Sequence, residues 1–374
     1  MRLSRLIWPI LVVPLVIALL FYLIHIITVH IHIMKYKKDD TNIVVTISDE
    51  QITKVVREAA TSIEKRLLRI QEVCKKYNLG LYKNTALDSV FNHPPTPQYS
   101  VFYIDLVHKL SWCPIYKAAS STWLYSFCLL GGYKEEELDN RKQQLSTLAR
   151  KVYPELDYPL AEQALQSTLK LMVVRHPFER ILSAYRDKLE NIRIGGEHGT
   201  AHFYRSYGAR IVSKYRLGGN LTRTQDLLTP GTFYWEKDDP EPAGIEPTFK
   251  EFVRYLIDLD LTHYADDHWI PFYLYCTPCL LNYNIIAKVE TLQRDQIYAI
   301  KMANLYDLIK PRWQHKTIPN GKSADEISKI YFSQLTMKEI ERLHEKYRLD
   351  FELFNYSINK HLKYANDYNK NKIK

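Results

Sequence analysis

The sequence predicts an α/β domain in which helices flank a parallel β-sheet. Two stretches support this prediction, because each places an apolar run directly before a turn and a helix. In the first, HKLSWCPIY is the predicted strand and residues 122–130 the helix; in the second, LKLMVV at 169–174 precedes RHPFERILSAYRDKLE. A run such as LKLMVV is typical of a parallel strand buried on both faces. Strand–turn–helix units imply a sheet that binds its ligands at the carboxyl ends of the strands.

Composition indicates a globular protein with a basic surface. The chain has 374 residues, of which 46% are hydrophobic, and a formal net charge of +9. This is enough for one large domain or two modest ones, and it excludes a disordered chain. The charge favours an anionic partner, such as nucleic acid, an acidic membrane, a nucleotide or an acidic polysaccharide, without choosing among them.

Residues 6–24 contain no charged side chain and predict a transmembrane anchor, since about 20 apolar residues cross a bilayer. A cleaved signal peptide is the alternative, but no small-x-small cleavage site follows the run. Basic residues on both sides leave the orientation open. The predicted division is a short tail at 1–5, an anchor at 6–28, a stem at 29–95, a catalytic domain at 96–360 and a polar basic tail at 361–374.

The predicted stem contains apolar residues at helical spacing from Ile52 to Ile70. We expect this amphipathic helix to pack on the domain. A dimerising coiled coil is the alternative, although the pattern is short for one. Three prolines within 92–100 predict a linker, and further helices are predicted at roughly 249–260 and 337–348.

Five cysteines permit two disulfides and one free thiol in an oxidising compartment. Cys276-x-x-Cys279 lacks the second pair that a zinc site requires, so it predicts a local bridge or one half of a longer-range bridge. The sequons at Asn220 and Asn355 would be glycosylated only in the secretory lumen.

The stretch CPIYKAASSTW at 113–123 has features of an anion-binding turn. Small residues let the backbone approach an anion, and the following helix points its free N–H groups at it. Ser121 and Thr122 can add hydroxyl donors, and Lys117 adds a compact positive charge. No G-x-x-x-x-G precedes the lysine, which argues against a kinase or ATPase. The alternative is an exposed lysine at a turn with hydroxyl caps.

Arg175 directly follows the second predicted strand, and Ser183 lies about two helical turns later. Arginine can bind a phosphate bidentately, and serine can donate to it. The alternative is a structural ion pair of Arg175 with Glu179 or Asp187. We expect Glu179 to pair with Arg180 or Arg175 rather than to act as a base.

Together, YKAASST and VVRHPFERILSAYRDKL resemble the membrane-bound carbohydrate sulfotransferases, most closely the chondroitin/dermatan 4-O-sulfotransferase and HNK-1 sulfotransferase group. The blocks DHWIPFYLYCTPCLLNYNIIAKVETL and YRLDFELFNYS resemble later parts of the same family. The resemblance spans roughly residues 64–357. The first motif departs from the family at its proline and asparagine positions, which leaves the substrate branch open.

The resemblance implies a P-loop-like α/β fold related to nucleotide kinases, with the sulfonate donor PAPS (3′-phosphoadenylyl sulfate) and no metal requirement. It assigns the 3′-phosphate of the donor to Arg175 and Ser183. The 5′-phosphosulfate is assigned to the first motif, which comprises Tyr116, Lys117, Ala118, Ala119, Ser120, Ser121 and Thr122. It also implies a single-pass type II Golgi membrane protein with a lumenal catalytic domain.

The reaction that the resemblance implies is transfer of a sulfonyl group from PAPS to a sugar hydroxyl. Such a transfer needs a general base to accept the proton of the hydroxyl. We choose His268, because imidazole titrates near neutral pH and Asp266 or Asp267 could orient it. A structural histidine that caps a helix is the alternative, and His263 is the rival candidate. Lys117 would stabilise the departing phosphate as the second catalytic residue.

An acidic glycan or glycosaminoglycan is the expected acceptor, because basic residues follow the second motif and could line a groove. These are Arg186, Lys188, Arg193, Arg205, Arg210, Lys214 and Arg216. A solvated basic face is the alternative. We expect no nucleic-acid partner, and a homo-oligomer is left open. The competing functions are a catalytically inactive Golgi glycan-binding protein and, less favoured, a P-loop-like nucleotide kinase.

Overall fold

A four-stranded β-sheet occupies the centre of the computed structural model, which describes residues 49–84, 86–140, 143–194, 199–216, 240–312 and 323–368. The strands lie in chain order across the sheet: β1 (Tyr103–Asp105), β2 (Leu110–Cys113), β3 (Leu169–Val174) and β4 (Ile285–Lys288). The predicted transmembrane segment at 6–28 lies outside the described residues. Among the residues that are described, no helix combines the length and apolarity needed to cross a membrane.

The sheet is mixed, which corrects the prediction of a wholly parallel sheet. β2, β3 and β4 run parallel, whereas β1 pairs antiparallel with β2, with Tyr103 opposite Trp112. A short hairpin joins β1 to β2, and antiparallel neighbours allow such a turn while parallel neighbours need a long crossover. With only three residues, β1 is too short to show a periodic pattern in the sequence.

Helices cover both faces of this sheet. Because side chains alternate along a strand, Leu171 and Val173 of β3 pack in one apolar cluster while Met172 and Val174 pack in another. The helices are α1 (Asp49–Lys76), α2 (Ser120–Leu130), α3 (Glu135–Asp139), α4 (Leu145–Val152), α5 (Leu160–Gln166), α6 (Pro177–Lys188), α7 (Thr200–Phe203), α8 (Ala209–Tyr215), α9 (Phe249–Asp258), α10 (Leu261–Tyr264), α11 (Phe272–Tyr275), α12 (Leu292–Met302), α13 (Ala324–Phe332), α14 (Met337–Leu353) and α15 (Asn359–Leu362).

The predicted stem helix is α1, and it packs on the sheet as expected. Ala59 and Ile63 on its apolar face are no more than 1% exposed. Arg66 donates to the carbonyl of Ile286 in β4 at 2.7 Å and forms an ion pair with buried Asp295 at 2.5 Å. The buried face of α1 is therefore covered by its own chain, and α1 belongs to the same compact unit, Asp49–Lys374, as the sheet.

Both cysteines of the C-x-x-C pair form long-range disulfides, which excludes a local bridge. Cys276 bonds to Cys113 at the end of β2, and Cys279 bonds to Cys74 near the end of α1. Cys128 is the remaining thiol and is buried. Gly80 allows close packing at the second bridge, because a Cβ there would lie 2.0 Å from the carbonyl oxygen of Cys279. The segment after residue 266 is thereby tied to β2.

We predict that the double variant Cys113→Ser/Cys276→Ser loses about 2–5 kcal/mol of unfolding free energy, because this bridge closes a chain segment with a sequence separation of 163 residues. Urea denaturation of the oxidised proteins measures the difference. In a reducing buffer, which also opens Cys74–Cys279, the wild type should fall to or below the stability of the oxidised variant. Equal stability of the two oxidised proteins would contradict the prediction.

Candidate active site

The loop between β2 and α2 has an unusual backbone conformation. Lys117 and Ala119 have φ values of 66° and 60°, in the left-handed region that side chains with a Cβ disfavour. Strained residues of this kind cluster at functional sites, and turns that contain them direct neighbouring N–H groups into one concavity. Ala118 between them is 1% exposed and fastens the loop to the core.

Helix α2 begins directly after this loop without a side-chain cap. Its first N–H groups therefore lack a capping oxygen, and the positive end of its dipole faces the loop. Ser120 and Ser121 are half-buried at this end, whereas Thr122 is only 2% exposed. The structure thus places the two serines better than Thr122 for contact with an anion.

Arg175 lies beside the same loop. It follows β3 directly, and its Nη1 donates to the carbonyl oxygen of Lys117 at 3.2 Å. The two residues are 58 positions apart in the chain, and they meet because the carboxyl ends of the parallel strands β2 and β3 share one edge of the sheet. Burial lowers the pKa of Arg175, and the carboxylates of Glu179 and Glu290 oppose this effect.

The ammonium group of Lys117 contacts helix α6. Its Nζ lies 3.1 Å from Oδ2 of Asp187, and Lys188 Nζ lies at the same distance from that oxygen. Asp187 therefore pairs with Lys117, not with Arg175 as the structural alternative required. Burial lowers the pKa of Lys117, while Asp187 acts to raise it. Ser183 is half-buried one turn before Asp187, on the same face of α6.

The buried side chain of Arg180 connects the loop of Lys117 to the segment that contains His268. It is 1% exposed, and its guanidinium donates to the carbonyls of Tyr116 at 2.9 Å, Asp267 at 2.9 Å and Ile270 at 2.6 Å. Glu179 interacts electrostatically with Arg175, one of its two expected partners, whereas the expected pairing with Arg180 is wrong. Glu179 instead bonds to Nε2 of His361 at 3.0 Å.

His268 lies in a network of hydrogen bonds and aromatic contacts. Asp266 Oδ1 accepts from the His268 Nδ1 at 2.7 Å, and the Tyr207 hydroxyl donates to Asp266 Oδ2 at 2.9 Å. A neutral His268 therefore carries its proton on Nδ1 and keeps a lone pair on Nε2. The ring stacks on Tyr116, with 4.5 Å between centroids and 11° between planes.

Electrostatics favour the neutral form of His268. Burial lowers its pKa; Asp266 acts to raise it, and the nearby cations Lys188 and Lys117 lower it further. The rival His263 is largely exposed, with 63% of its side chain accessible, and bonds locally to Asp260. His268 is therefore the imidazole that adjoins the loop of Lys117.

The basic residues predicted to line an acceptor groove have different environments. Two form partly buried ion pairs, Arg216 with Glu251 at 2.9 Å and Arg186 with Glu190 at 3.6 Å, and Lys214 forms an exposed pair with Asp258 at 3.7 Å. Arg205 and Arg210 are exposed, and Lys188 lies at the candidate site. Part of the basic set thus stabilises the fold.

Sequence reasoning missed Tyr207 and the role of Asp187. Tyr207 lies in a π-helical turn, Tyr204–Gly208, which shifts the register of the helix that carries it. No local pattern in the sequence marks such a turn. Asp187 stands inside the second motif, and its helical spacing from Ser183 could have indicated a shared face. Among the described residues, no cluster of three metal-ligating side chains occurs, so independence of metal remains an expectation.

Comparisons with known proteins identify the family. A model of the sulfotransferase family matches residues 100–357, which contain the loop of Lys117, Arg175 and His268. The chain belongs to the sulfotransferase family. This agrees with the α/β fold and with ligand-binding loops at the carboxyl ends of β2 and β3. No solved structure matches the chain significantly.

Similar proteins place the chain among the carbohydrate sulfotransferases, enzymes that transfer a sulfonyl group to a glycan. It is 30% identical to carbohydrate sulfotransferase 11 of Rattus norvegicus over 271 residues, 70% of this chain and 68% of the relative. It is 27% identical to carbohydrate sulfotransferase 8 of Mus musculus over 298 residues, 78% of this chain and 63% of the relative. Carbohydrate sulfotransferase 14 of Mus musculus is 28% identical over 256 residues, 67% of this chain and 58% of the relative.

We predict that Tyr207→Phe raises the pKa of His268. Without the phenol donor, the charge of Asp266 is less dispersed and attracts the imidazolium more strongly. One hydrogen bond of about 1 kcal/mol corresponds to an increase of about half a pH unit to one unit. NMR titration of ¹³C-histidine-labelled protein measures it, with Tyr264→Phe as an exposed control. An unchanged or lowered pKa of His268 would refute the proposed network.

Proposed function

We propose that this enzyme transfers the sulfonyl group of PAPS to a hydroxyl group of a glycan, either O-4 of N-acetylgalactosamine in chondroitin/dermatan-type chains or a related terminal sugar. The observation that carries the proposal is the contact of the Arg175 guanidinium with the Lys117 carbonyl at 3.2 Å. It brings an ammonium and a guanidinium to one loop, as a doubly phosphorylated nucleotide requires.

The loop and its neighbours fit the two phosphate-bearing ends of this donor. Lys117, Ser120, Ser121 and the N–H groups at the start of α2 would hold the 5′-phosphosulfate. Arg175 and Ser183 would hold the 3′-phosphate. Asp187 positions the Lys117 ammonium before the donor arrives, so little reorganisation is needed.

His268 acts as the general base in this proposal. Its Nε2 lone pair accepts the proton of the acceptor hydroxyl while the oxygen bonds to sulfur. The bond between sulfur and the bridging phosphate oxygen breaks, and the leaving adenosine 3′,5′-bisphosphate gains the negative charge. Lys117 stabilises that charge, and Asp266 stabilises the imidazolium through Nδ1.

A single-pass Golgi location with a lumenal catalytic domain is part of the proposal. The two long-range disulfides suit an oxidising compartment. Asn355 of the second sequon is exposed and thus accessible to glycosylation, while Asn220 lies outside the described residues. An inactive glycan-binding protein is disfavoured, because such a protein has no need of the strained donor loop and its two cations.

We predict that Lys117→Ala lowers kcat by about 10²–10³-fold, the usual cost of removing one group that stabilises transition-state charge. Arg175→Ala should weaken binding of adenosine 3′,5′-bisphosphate at least tenfold, because it removes charged hydrogen bonds of about 1.5–3 kcal/mol each. Radiolabelled sulfonyl transfer and isothermal titration calorimetry measure the two effects.

Lys65→Ala and Arg57→Ala on the exposed face of α1 are matched controls for loss of a positive charge. Full transfer by either site variant would refute the assignment of the donor site. Absence of nucleotide binding in the wild type would instead favour a glycan-binding protein.

We predict that His268→Ala lowers kcat by about 10²–10⁴-fold while affinity for adenosine 3′,5′-bisphosphate stays within twofold, because the base acts on the acceptor and not on the donor. His263→Ala is the matched control, since that imidazole is exposed. A parallel loss of nucleotide affinity would mean that His268 has a structural role.

A further inference from the structure

A cleft of about 590 Å³ opens beside the proposed donor loop. Its volume falls within the range of about 300–1,000 Å³ found for small-ligand sites. It shares Tyr116 and Ser120 with the first motif, and its other lining residues have no role in the reaction proposed above. Three tyrosines and four charged residues contribute to its lining, and these are Tyr103, Tyr116, Tyr275, Arg150, Lys151, Glu155 and Asp267.

Two of the phenols are available to a ligand. Within the described residues, the hydroxyl groups of Tyr116 and Tyr275 have no hydrogen-bond partner, although Tyr275 is only 6% exposed. Neither hydroxyl oxygen is among the fully buried polar atoms that lack partners, so each is accessible to an incoming hydrogen-bonding group. Burial, reinforced by the carboxylate of Asp267, raises the pKa of both phenols, which remain protonated donors at neutral pH.

The cations of the cleft are already engaged. Arg150 donates to backbone carbonyls of residues 100–102 at 2.7–3.2 Å and stacks on the Tyr103 ring at 3.8 Å. Lys151 donates to Gln143 at 2.9 Å. The carboxylate of exposed Asp267 lines the cleft without a partner among the described residues. The groups without partners are therefore two phenols and the Asp267 carboxylate, which suit sugar hydroxyls. The two positive charges of the lining are matched in number by those of Glu155 and Asp267, so the cleft has no net charge that would attract an anion.

Tyr116 joins the cleft to the proposed reaction centre. It lines the cleft, and its ring also stacks on His268, which does not itself line the cleft. A ligand in the cleft is thus one aromatic ring away from the proposed base. A sugar unit linked to the unit whose hydroxyl reaches His268 would therefore lie on the cleft side of Tyr116.

We propose that this cleft is a subsite for a neutral sugar, the unit next to the one that receives the sulfonyl group. Tyr116 and Tyr275 donate to its oxygens, and Asp267 accepts from its hydroxyl groups. The inference rests on the proposed function and makes it more specific. A chondroitin-type chain places a uronate beside each N-acetylgalactosamine. Of the two acceptors in the proposed function, the cleft therefore favours a terminal sugar that is linked to a neutral sugar.

The test compares two matched acceptors with the full-length chain: chondroitin tetrasaccharide and the same tetrasaccharide with its carboxylates reduced, which turns each glucuronate into glucose. We expect kcat/KM to be at least fivefold higher for the reduced acceptor. In Asp267→Asn, the ratio of kcat/KM for the reduced acceptor to kcat/KM for the native acceptor should be at least threefold smaller, because the substitution removes a negative charge that repels the uronate. An unchanged preference in Asp267→Asn, or a wild-type preference for the native acceptor, would overturn the inference.

Tyr275→Phe tests the phenol. The reference acceptor is p-nitrophenyl N-acetyl-β-galactosaminide, which lacks the neighbouring sugar. The ratio of kcat/KM for the reduced tetrasaccharide to kcat/KM for this reference should be about tenfold lower in the variant than in the wild type. Tyr273→Phe is the matched control, because it removes a hydroxyl from the same helix outside the cleft lining. A loss of adenosine 3′,5′-bisphosphate affinity in Tyr275→Phe would assign the cleft to the donor and overturn the inference.

The inference and the proposed function can fail separately. If the wild type transfers no sulfonyl group to any of these acceptors, the proposed function fails. Saturation-transfer NMR then tests the cleft by binding alone. Contact of the reduced tetrasaccharide with the wild type, lost in Tyr275→Phe and kept in Tyr273→Phe, supports the subsite, and equal binding by all three proteins contradicts it.

Discussion

The buried guanidinium of Arg180 is the constraint on which the candidate site depends. It is 1% exposed and donates to three backbone carbonyls in two segments that are far apart in sequence. Burial lowers its pKa to about 10, so it is still charged at neutral pH. Hydrogen bonds to a charged group contribute about 1.5–3 kcal/mol each. The donor loop and the His268 segment therefore hold their positions through one side chain.

Helix α6 joins this constraint to the chemistry. Arg180, Ser183 and Asp187 occupy positions i, i+3 and i+7, which lie on one face of a helix. The same face thus fixes the loop backbone, offers a hydroxyl group and holds the Lys117 ammonium. Arg175 enters from the strand that precedes α6. Because a strand and a helix are rigid supports, the site needs little ordering when its ligands bind.

Charge divides the site into two environments. Lys117, Lys188 and Arg175 surround the position proposed for the donor, and the two lysines lower the pKa of His268 in favour of the neutral base. On the other side of Tyr116, the cleft has equal numbers of positive and negative side chains in its lining. In the proposed function, the first environment would suit the anionic donor and the second the hydroxyl-rich acceptor.

The sequence by itself determined the local elements and the residue types of the site. The apolar run at 169–174 is β3, residues predicted at 122–130 and 249–260 are largely helical, and the periodic apolar residues of α1 are buried. Short-range spacing encodes these features. Only the tertiary structure decided the direction of β1, the partners of Cys276 and Cys279, and the contacts of Arg180, Asp187 and Tyr207. These depend on packing between segments up to about 200 residues apart, and a linear pattern of residue types does not specify which distant groups meet.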